Sequence, residues 1–100
     1  MTAHDPTVPT LEPVWLVEAK YVANAAEARA PFRTAHLARL TELKDLGVVV
    51  EAGASADASA SLLMLRAATE DEALELCRAD VYWENEVWVD LKAGAFARVP

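Results

Sequence analysis

Hydrophobic and polar positions alternate with a period of two in four stretches of the chain, as they do in the strands of a sheet. Strands are predicted at residues 14–21, 48–54, 60–67 and 87–99. A short run of small or polar residues separates the second stretch from the third, which indicates a hairpin. In the fourth stretch Val87, Val89 and Leu91 are expected to face the core. Gly94 in the same stretch is expected to mark a bend or bulge.

Two other segments repeat hydrophobic residues at every third or fourth position, which predicts amphipathic helices. The first helix begins near Pro31, a residue suited to a first turn, and ends at Gly47, which suits a left-handed cap. The second begins at Thr69, because Thr69 and Glu72 have the spacing of a capping box. It is expected to run to about Asp80.

The order of these elements is βαββαβ, which predicts an α+β fold of the ferredoxin-like type. In that arrangement a four-stranded antiparallel sheet carries both helices on one face. The other face would expose apolar residues such as Leu16 and either Leu62 or Leu63. We expect a second copy of the chain to cover it, which gives a barrel-like homodimer. A monomer with a modestly apolar exposed sheet is the alternative.

The length of 100 residues, with 54% hydrophobic and 25% charged residues, is typical of one globular domain. The net charge of −7, without a cluster of Lys and Arg, disfavours nucleic acid and anionic membranes as partners. A small molecule or another protein remains. Residues 1–13 are rich in proline and are expected to form an extended or mobile arm before a domain at residues 14–100. Neither a secretory signal nor a membrane span is predicted, so a cytoplasmic location is expected.

The cysteine and glycine content argues against several common kinds of site. With one cysteine, Cys77, neither a disulfide nor a CxxC metal site can form within the chain. Its place in a helical pattern indicates a small buried hydrophobe. No triad of metal-ligating residues has suitable spacing, and the glycines are too scattered for a phosphate-binding loop. No cofactor is therefore expected.

A histidine lies within the apolar stripe of the first predicted helix. At about 100° per residue, that stripe contains Phe32, His36, Leu40, Leu43 and Gly47. The imidazole of His36 is therefore expected to face the sheet. On the second predicted helix, one face combines Ala73, Leu76, Cys77 and Asp80. A buried carboxylate at the negative end of a helix needs a nearby cation or proton donor.

Because both helices cover the same face of the sheet, His36 and Asp80 can meet. We predict a His/Asp pair with Arg33 above it. The carboxylate would fix one imidazole tautomer and leave the other nitrogen as an acid or base near neutral pH. Two structural alternatives stay open: His36 as a core histidine bound to the main chain, and Asp80 as a C-terminal cap or turn residue.

Three aromatic residues close to Asp80 in the sequence are candidates for the wall of a substrate pocket: Tyr82, Trp83 and Trp88. Aromatic residues at the ends of strands and helices also commonly belong to the core. Both interpretations stay open at this level.

Taken together, these residues resemble the YciI-like, or YCII-related, family. The resemblance is carried by Arg33-Thr34-Ala35-His36-Leu37, by Gly47 and Gly53 on either side of a valine strand, by Ser61-Leu62-Leu63 and by Asp80-Val81-Tyr82. It spans about residues 14–99. It implies a ferredoxin-like dimer in which His36 and Asp80 form the active site, with supporting roles for Arg33 and Ser61. The candidate substrate-binding residues are Arg33, Ser61, Tyr82 and Trp83.

The expected function is that of a cofactor-independent enzyme acting on a small molecule. His36 would be the general base or acid and Asp80 would orient it, in an elimination or an isomerisation. One branch of the family that the chain resembles removes chloride from a chlorinated hydroxyquinone precursor. Two alternatives stay open: a non-catalytic ligand-binding or accessory dimer, and a cofactor-free oxygenase.

Overall fold

One antiparallel sheet of four strands, covered on one face by helices, forms the fold. The computed structural model describes residues 8–100. The strands are β1 (Glu12–Tyr21), β2 (Val49–Ala54), β3 (Ala60–Leu65) and β4 (Trp88–Arg98). The helices are α1 (Ala25–Arg29), α2 (Arg33–Asp45), α3 (Glu70–Arg78) and α4 (Val81–Glu84), with a 3-10 turn at Ala30–Phe32. The strand order β2-β3-β1-β4 confirms the predicted ferredoxin-like fold.

The helix-covered face of the sheet is built around β1. Val17, Ala19 and Tyr21 are buried there, as the alternation along this strand predicts. Val17 lies opposite Leu63 of β3, and Ala19 lies opposite Leu91 of β4. These pairs form the floor on which the helices pack.

The opposite face of the sheet carries apolar side chains that none of the helices α1–α4 covers. Leu62 is 50% exposed there, whereas its neighbour Leu63 is buried under the helices. Of the two leucines that were alternatives for the open face, Leu62 is the one that lies on it, because successive residues of a strand point to opposite faces. Phe96 of β4 is also exposed, and Leu16 of β1 lies with Leu62 and Phe96 along one shallow groove.

The alternation in β4 is inverted by one extra residue. Lys20 pairs with Asp90 but Tyr21 pairs with Trp88, so Val89 has no partner on β1. The bulge turns the Trp88 side chain into the core and leaves Val89 46% exposed. The prediction that Val89 faces the core is therefore wrong. The irregularity lies here and not at Gly94, which pairs in register with Leu16.

The start of β1 is held by an ion-pair cluster. The Glu12 carboxylate accepts hydrogen bonds from Arg66, just after β3, and from Arg98 at the end of β4. These bonds lower the pKa of Glu12 to about 2. Because Glu12 ties the ends of three strands together, β1 begins two residues before the predicted start. The predicted N-terminal arm loses those two residues to the strand, and residues 1–7 of the arm lie outside the described part of the chain.

The helix predicted from near Pro31 to Gly47 is present as α2, which begins two residues after Pro31. Pro31 lies in the 3-10 turn, which links α1 to α2. As predicted, Gly47 follows the helix in the left-handed conformation, with φ of 76°. Its carbonyl accepts a hydrogen bond from Arg66 (2.8 Å). No helix within residues 8–100 is long and apolar enough to cross a membrane.

A short break separates α3 from α4. Thr69 Oγ1 caps α3 by accepting from the Glu72 N–H (3.2 Å), as the capping box predicts. The Glu72 carboxylate reaches back to the Ala68 N–H (2.9 Å), one residue beyond the cap. The helix ends at Arg78, and Asp80 is the N-cap of α4. The predicted position of Asp80 at the C-terminal end of a helix is therefore wrong, and its carboxylate lies at a favourable helix start.

Candidate active site

A buried histidine and a buried carboxylate meet between α2 and α4. His36 is 4% exposed and Asp80 is 0% exposed. His36 Nδ1 lies 2.8 Å from Asp80 Oδ1, so the predicted contact between the two side chains is present. Two local features produce it. The helical repeat turns His36 toward the sheet, and the turn after α3 brings Asp80 to the start of α4.

Two further donors hold the Asp80 carboxylate. Oδ1 also accepts from the main-chain N–H of Tyr82 (2.9 Å), and Oδ2 accepts from Arg39 Nη1 (3.2 Å). Arg39 in turn is fixed by donating from Nη2 to the carbonyl of Leu76 on α3 (2.8 Å). The carboxylate therefore accepts from three donors on three sides and cannot turn away from His36 without losing some of them.

These contacts select one tautomer of His36. A carboxylate only accepts, so Nδ1 carries the hydrogen that is shared with Asp80. The lone pair of the neutral ring then lies on Nε2. Within residues 8–100, Nε2 makes no hydrogen bond, and the His36 ring forms part of the wall of a cavity. This is the arrangement of a general base or acid.

An aromatic cluster fixes the plane of the imidazole. The ring of His36 stacks on that of Tyr82, with centroids 3.6 Å apart and planes inclined by 9°. Trp88 is nearly perpendicular to both rings, with its centroid 5.2 Å from His36 and 5.6 Å from Tyr82. Because these two distances are almost equal, Trp88 stands beside the stack and not above or below it. His36 is thus held by Asp80 at one edge, Tyr82 on one face and Trp88 at the side.

The cavity next to His36 has a volume of about 180 Å³. Its polar side chains include the arginines Arg29 and Arg33 and a hydroxyl pair in which Ser61 Oγ donates to Tyr21 Oη (2.9 Å). Its apolar wall comes from α2, β2 and β3. A cavity of this size accepts a small molecule, since drug-sized ligands usually occupy pockets of about 300 Å³ or more.

Burial raises the pKa of the Tyr82 phenol, and the neighbouring Tyr21 and Asp80 act in the same direction. Arg29 and Arg33 act in the opposite direction, because the positive charge of a guanidinium group favours the ionised phenol. Tyr82 therefore stays a neutral hydrogen-bonding group at neutral pH.

Cys77 lies in the core beneath this site. Burial raises the pKa of its thiol to about 12, and the charge of Asp80 acts in the same direction. A thiol with that pKa is inert as a nucleophile near neutral pH, as expected for a buried hydrophobe. Within residues 8–100, no group of His, Cys, Asp and Glu side chains could hold a metal ion.

Three of the candidate substrate-binding residues line the cavity, and one does not. Arg33, Ser61 and Tyr82 line it, although Arg33 is exposed and makes no contact with Asp80. Arg39 takes the position beside the carboxylate that was predicted for Arg33. Trp83 lines a separate hollow together with Val22 and Trp88. In one turn of helix, neighbouring residues are about 100° apart, so Tyr82 and Trp83 cannot both face His36.

Sequence reasoning missed three residues of this site: Tyr21, Arg29 and Arg39. A signal for Arg39 exists, because it follows His36 by three positions and lies on the same side of α2. Arg33 precedes His36 by the same number of positions, so spacing alone does not distinguish the two. Arg29 belongs to α1, a helix that the hydrophobic pattern left undefined.

The sequence matches the YCII-related domain over residues 14–97. No curated protein matches it. Among solved structures, the fold is similar to that of 5-chloro-2-hydroxyhydroquinone dehydrochlorinase from Burkholderia phenoliruptrix AC1100, in complex with 2,5-dihydroxybenzoquinone. The TM-score is 0.70 at 20% sequence identity, over 81% of this chain and 90% of that chain. At this identity the likeness establishes the fold alone.

Proposed function

The chain belongs to the YCII-related domain family, and we propose that it is an enzyme that moves a proton on a small molecule bound next to His36. The observation that carries this proposal is the 2.8 Å contact between His36 Nδ1 and Asp80 Oδ1. It leaves Nε2 with a lone pair at the wall of a cavity. In this role His36 is the general base or acid and Asp80 is its positioning residue.

The reaction begins with transfer of a substrate proton from carbon or oxygen to Nε2. When a C–H bond breaks, its electron pair forms a double bond in the substrate. In an elimination a leaving group departs with its own bonding pair. In an isomerisation Nε2 returns the proton to a different atom of the substrate. Neither route needs a cofactor, because the imidazole accepts and returns the proton.

Asp80 supports this chemistry electrostatically. When Nε2 takes up a proton, the imidazole becomes a cation, and the adjacent carboxylate stabilises it. Arg39 and the Tyr82 N–H hold the carboxylate in place, so little reorganisation is needed at the moment of transfer. Stacking on Tyr82 keeps the ring plane constant.

The structural neighbour supports an elimination as the reaction class, by analogy at the level of the fold. That protein is a dehydrochlorinase and holds a dihydroxybenzoquinone. The cavity of about 180 Å³ suits a single-ring substrate of comparable size. A hydroxylated ring that can lose a proton and a leaving group is therefore the first substrate type to test.

A non-catalytic ligand-binding protein is the second candidate, and the structural role of Asp80 favours it. Asp80 caps α4 and holds Arg39 in addition to His36. Asp80 would keep these structural roles in a protein that binds a small molecule without turnover. The two candidates differ in whether the bound ligand is converted to a product.

The test uses chloride release from 5-chloro-2-hydroxyhydroquinone and deuterium uptake from heavy water into unchlorinated hydroxylated rings. His36→Gln should lower the rate of either reaction by about 10²–10⁴-fold, because general acid–base catalysis contributes that much. Arg78→Gln is the control, because Arg78 is exposed and paired with Glu75 on α3, outside the cavity. Equal turnover by His36→Gln and wild type, with the fold intact by circular dichroism, contradicts the proposal. Ligand binding without any turnover favours the binding protein.

A further inference from the structure

The arginines of this chain fall into two groups. Four lie within 4 Å of a carboxylate oxygen: Arg39, Arg66, Arg78 and Arg98. Within residues 8–100, Arg29 and Arg33 have no such partner, and both line the cavity next to His36. They are presented from consecutive helical segments, Arg29 from the end of α1 and Arg33 from the start of α2.

Among residues 8–100, no Asp or Glu lines this cavity, although the whole chain contains 16 acidic residues and has a net charge of −7. Arg29 lies over the ring of Tyr21, with Cζ 5.7 Å from the ring centroid, and this contact leaves its charge in place. Two guanidinium groups at one cavity, without a carboxylate partner within residues 8–100, make a local positive field despite the negative net charge of the chain. A field of this kind attracts and orients an anion.

We propose that the substrate of this site is a small anion and that Arg29 and Arg33 recognise its acidic group. That group is a carboxylate or an ionised hydroxyl attached to a single ring or a chain of similar size. Calling this anion a substrate rests on the proposed function, but binding of the anion can be measured without turnover.

The remaining polar atoms of the cavity are suited to the same ligand. Ser61 Oγ donates its hydrogen to Tyr21 Oη, so the Tyr21 hydroxyl keeps its own hydrogen to donate. Trp88 lines the cavity too, and its Nε1–H is a buried donor without a partner within residues 8–100. The donors of Arg29, Arg33, Tyr21 and Trp88 favour a ligand that carries acceptor oxygens.

The volume of the cavity limits the size of the ligand. A cavity of about 150 Å³ in another protein is large enough for benzene, and this one has about 180 Å³. One ring fills it, with Leu37, Leu40 and Leu63 as apolar contacts. The acidic group then lies toward the exposed Arg33. The arginines also stabilise negative charge that develops on the ring when His36 removes a proton.

The test compares benzoate with benzamide, a neutral ligand of the same shape, by titration of the ¹⁵N-labelled protein followed by NMR. Benzoate should bind saturably, with shifts at the Trp88 indole N–H, and benzamide should bind at least about tenfold more weakly. Arg29→Gln and Arg33→Gln should each weaken benzoate binding about threefold to tenfold and leave benzamide unaffected. Both arginines are partly or fully exposed, so these variants are expected to fold.

Arg78→Gln is the matched control, since it removes the same charge from a site outside the cavity. The inference is overturned if benzamide binds as tightly as benzoate, if benzoate gives no saturable shift, or if Arg78→Gln weakens binding as much as Arg33→Gln. These results are independent of the turnover assay. If benzoate recognition depends on the two arginines while His36→Gln leaves turnover unchanged, the proposed function fails and anion recognition stands.

Discussion

His36 and Tyr82 are joined twice, by a stack of their rings with centroids 3.6 Å apart and by a shared acceptor, Asp80 Oδ1. His36 reaches this oxygen through its side-chain Nδ1, and Tyr82 reaches it through its main-chain N–H. The oxygen that orients the imidazole therefore also starts α4 and places the ring on which the imidazole stacks. Substitutions of Asp80 and its partners should change stability and the state of His36 together.

Arg39 is expected to stabilise the fold through Asp80. Arg39→Gln removes the one donor to Asp80 Oδ2 within residues 8–100 and a donor to the Leu76 carbonyl. We expect the free energy of unfolding to fall by about 1–3 kcal/mol, since buried acceptors lose their donors. Urea denaturation followed by circular dichroism measures this change. Arg78→Gln, which breaks an exposed pair, should cost less than about 0.5 kcal/mol. Equal losses in both variants would contradict the assigned role of Arg39.

Asp80→Asn should change the tautomer of His36. An asparagine whose oxygen faces Arg39 loses the bond from the Tyr82 N–H but places its NH2 group toward Nδ1, to which it can donate. The carboxylate, in contrast, can only accept from Nδ1. We therefore expect the fraction of His36 with hydrogen on Nε2 to increase, which removes the lone pair that the proposed base needs. Nitrogen chemical shifts of ¹⁵N-labelled histidine distinguish the tautomers. Asp90→Asn is the control, because Asp90 is an exposed residue of β4. If the tautomer of His36 is unchanged in Asp80→Asn, Asp80 does not determine it.

Cys77 should make the folded state less stable at high pH. Burial raises the pKa of its thiol from the ordinary value of 9.0 to about 12. Between these values the unfolded chain loses the thiol proton and the folded chain keeps it. The contribution of Cys77 to stability is therefore complete below pH 9.0 and is lost as the pH rises toward 12, by at most about 1.4 kcal/mol per pH unit.

Unfolding by urea at a series of pH values, for wild type and Cys77→Ala, measures this contribution. The alanine variant leaves a small cavity and is expected to be less stable at every pH, so the slopes are compared and not the absolute values. Its free energy of unfolding should fall less steeply above pH 9.0. If the free energy of unfolding depends on pH in the same way in both proteins, the thiol is not the cause of the loss of stability above pH 9.0.

We propose that a second copy of the chain covers the open face of the sheet. Leu62 and Phe96 are exposed there beside Leu16, in one shallow groove on β1, β3 and β4 that Glu18 and Lys92 also line. Leu62→Glu should convert a dimer to a monomer in sedimentation experiments at high micromolar concentration. Leu46→Glu is the control, because Leu46 is 76% exposed at the end of α2 and lies outside the sheet. A wild-type protein that sediments as a monomer would refute this assembly.

Local features of the sequence were sufficient for the four strands, for α2 and α3, and for the direction of His36. Strand alternation in β1, the left-handed Gly47 and the cap at Thr69 all depend on residues within a few positions of one another. The inward direction of His36 follows from the helical repeat of α2 alone. The βαββαβ order then limited the fold to one common topology.

The partners of His36 and Asp80 were decided by tertiary structure. Arg33 and Arg39 are equally spaced from His36 along the helix, and only the packing of α2 against α3 and α4 determines which one reaches Asp80. The break after Arg78 makes Asp80 an N-cap, a boundary that the hydrophobic pattern did not predict. In β4 one inserted residue at Val89 reversed the predicted alternation. Repeats along a chain determine which side of an element a residue takes, whereas contacts between elements depend on how those elements are placed in three dimensions.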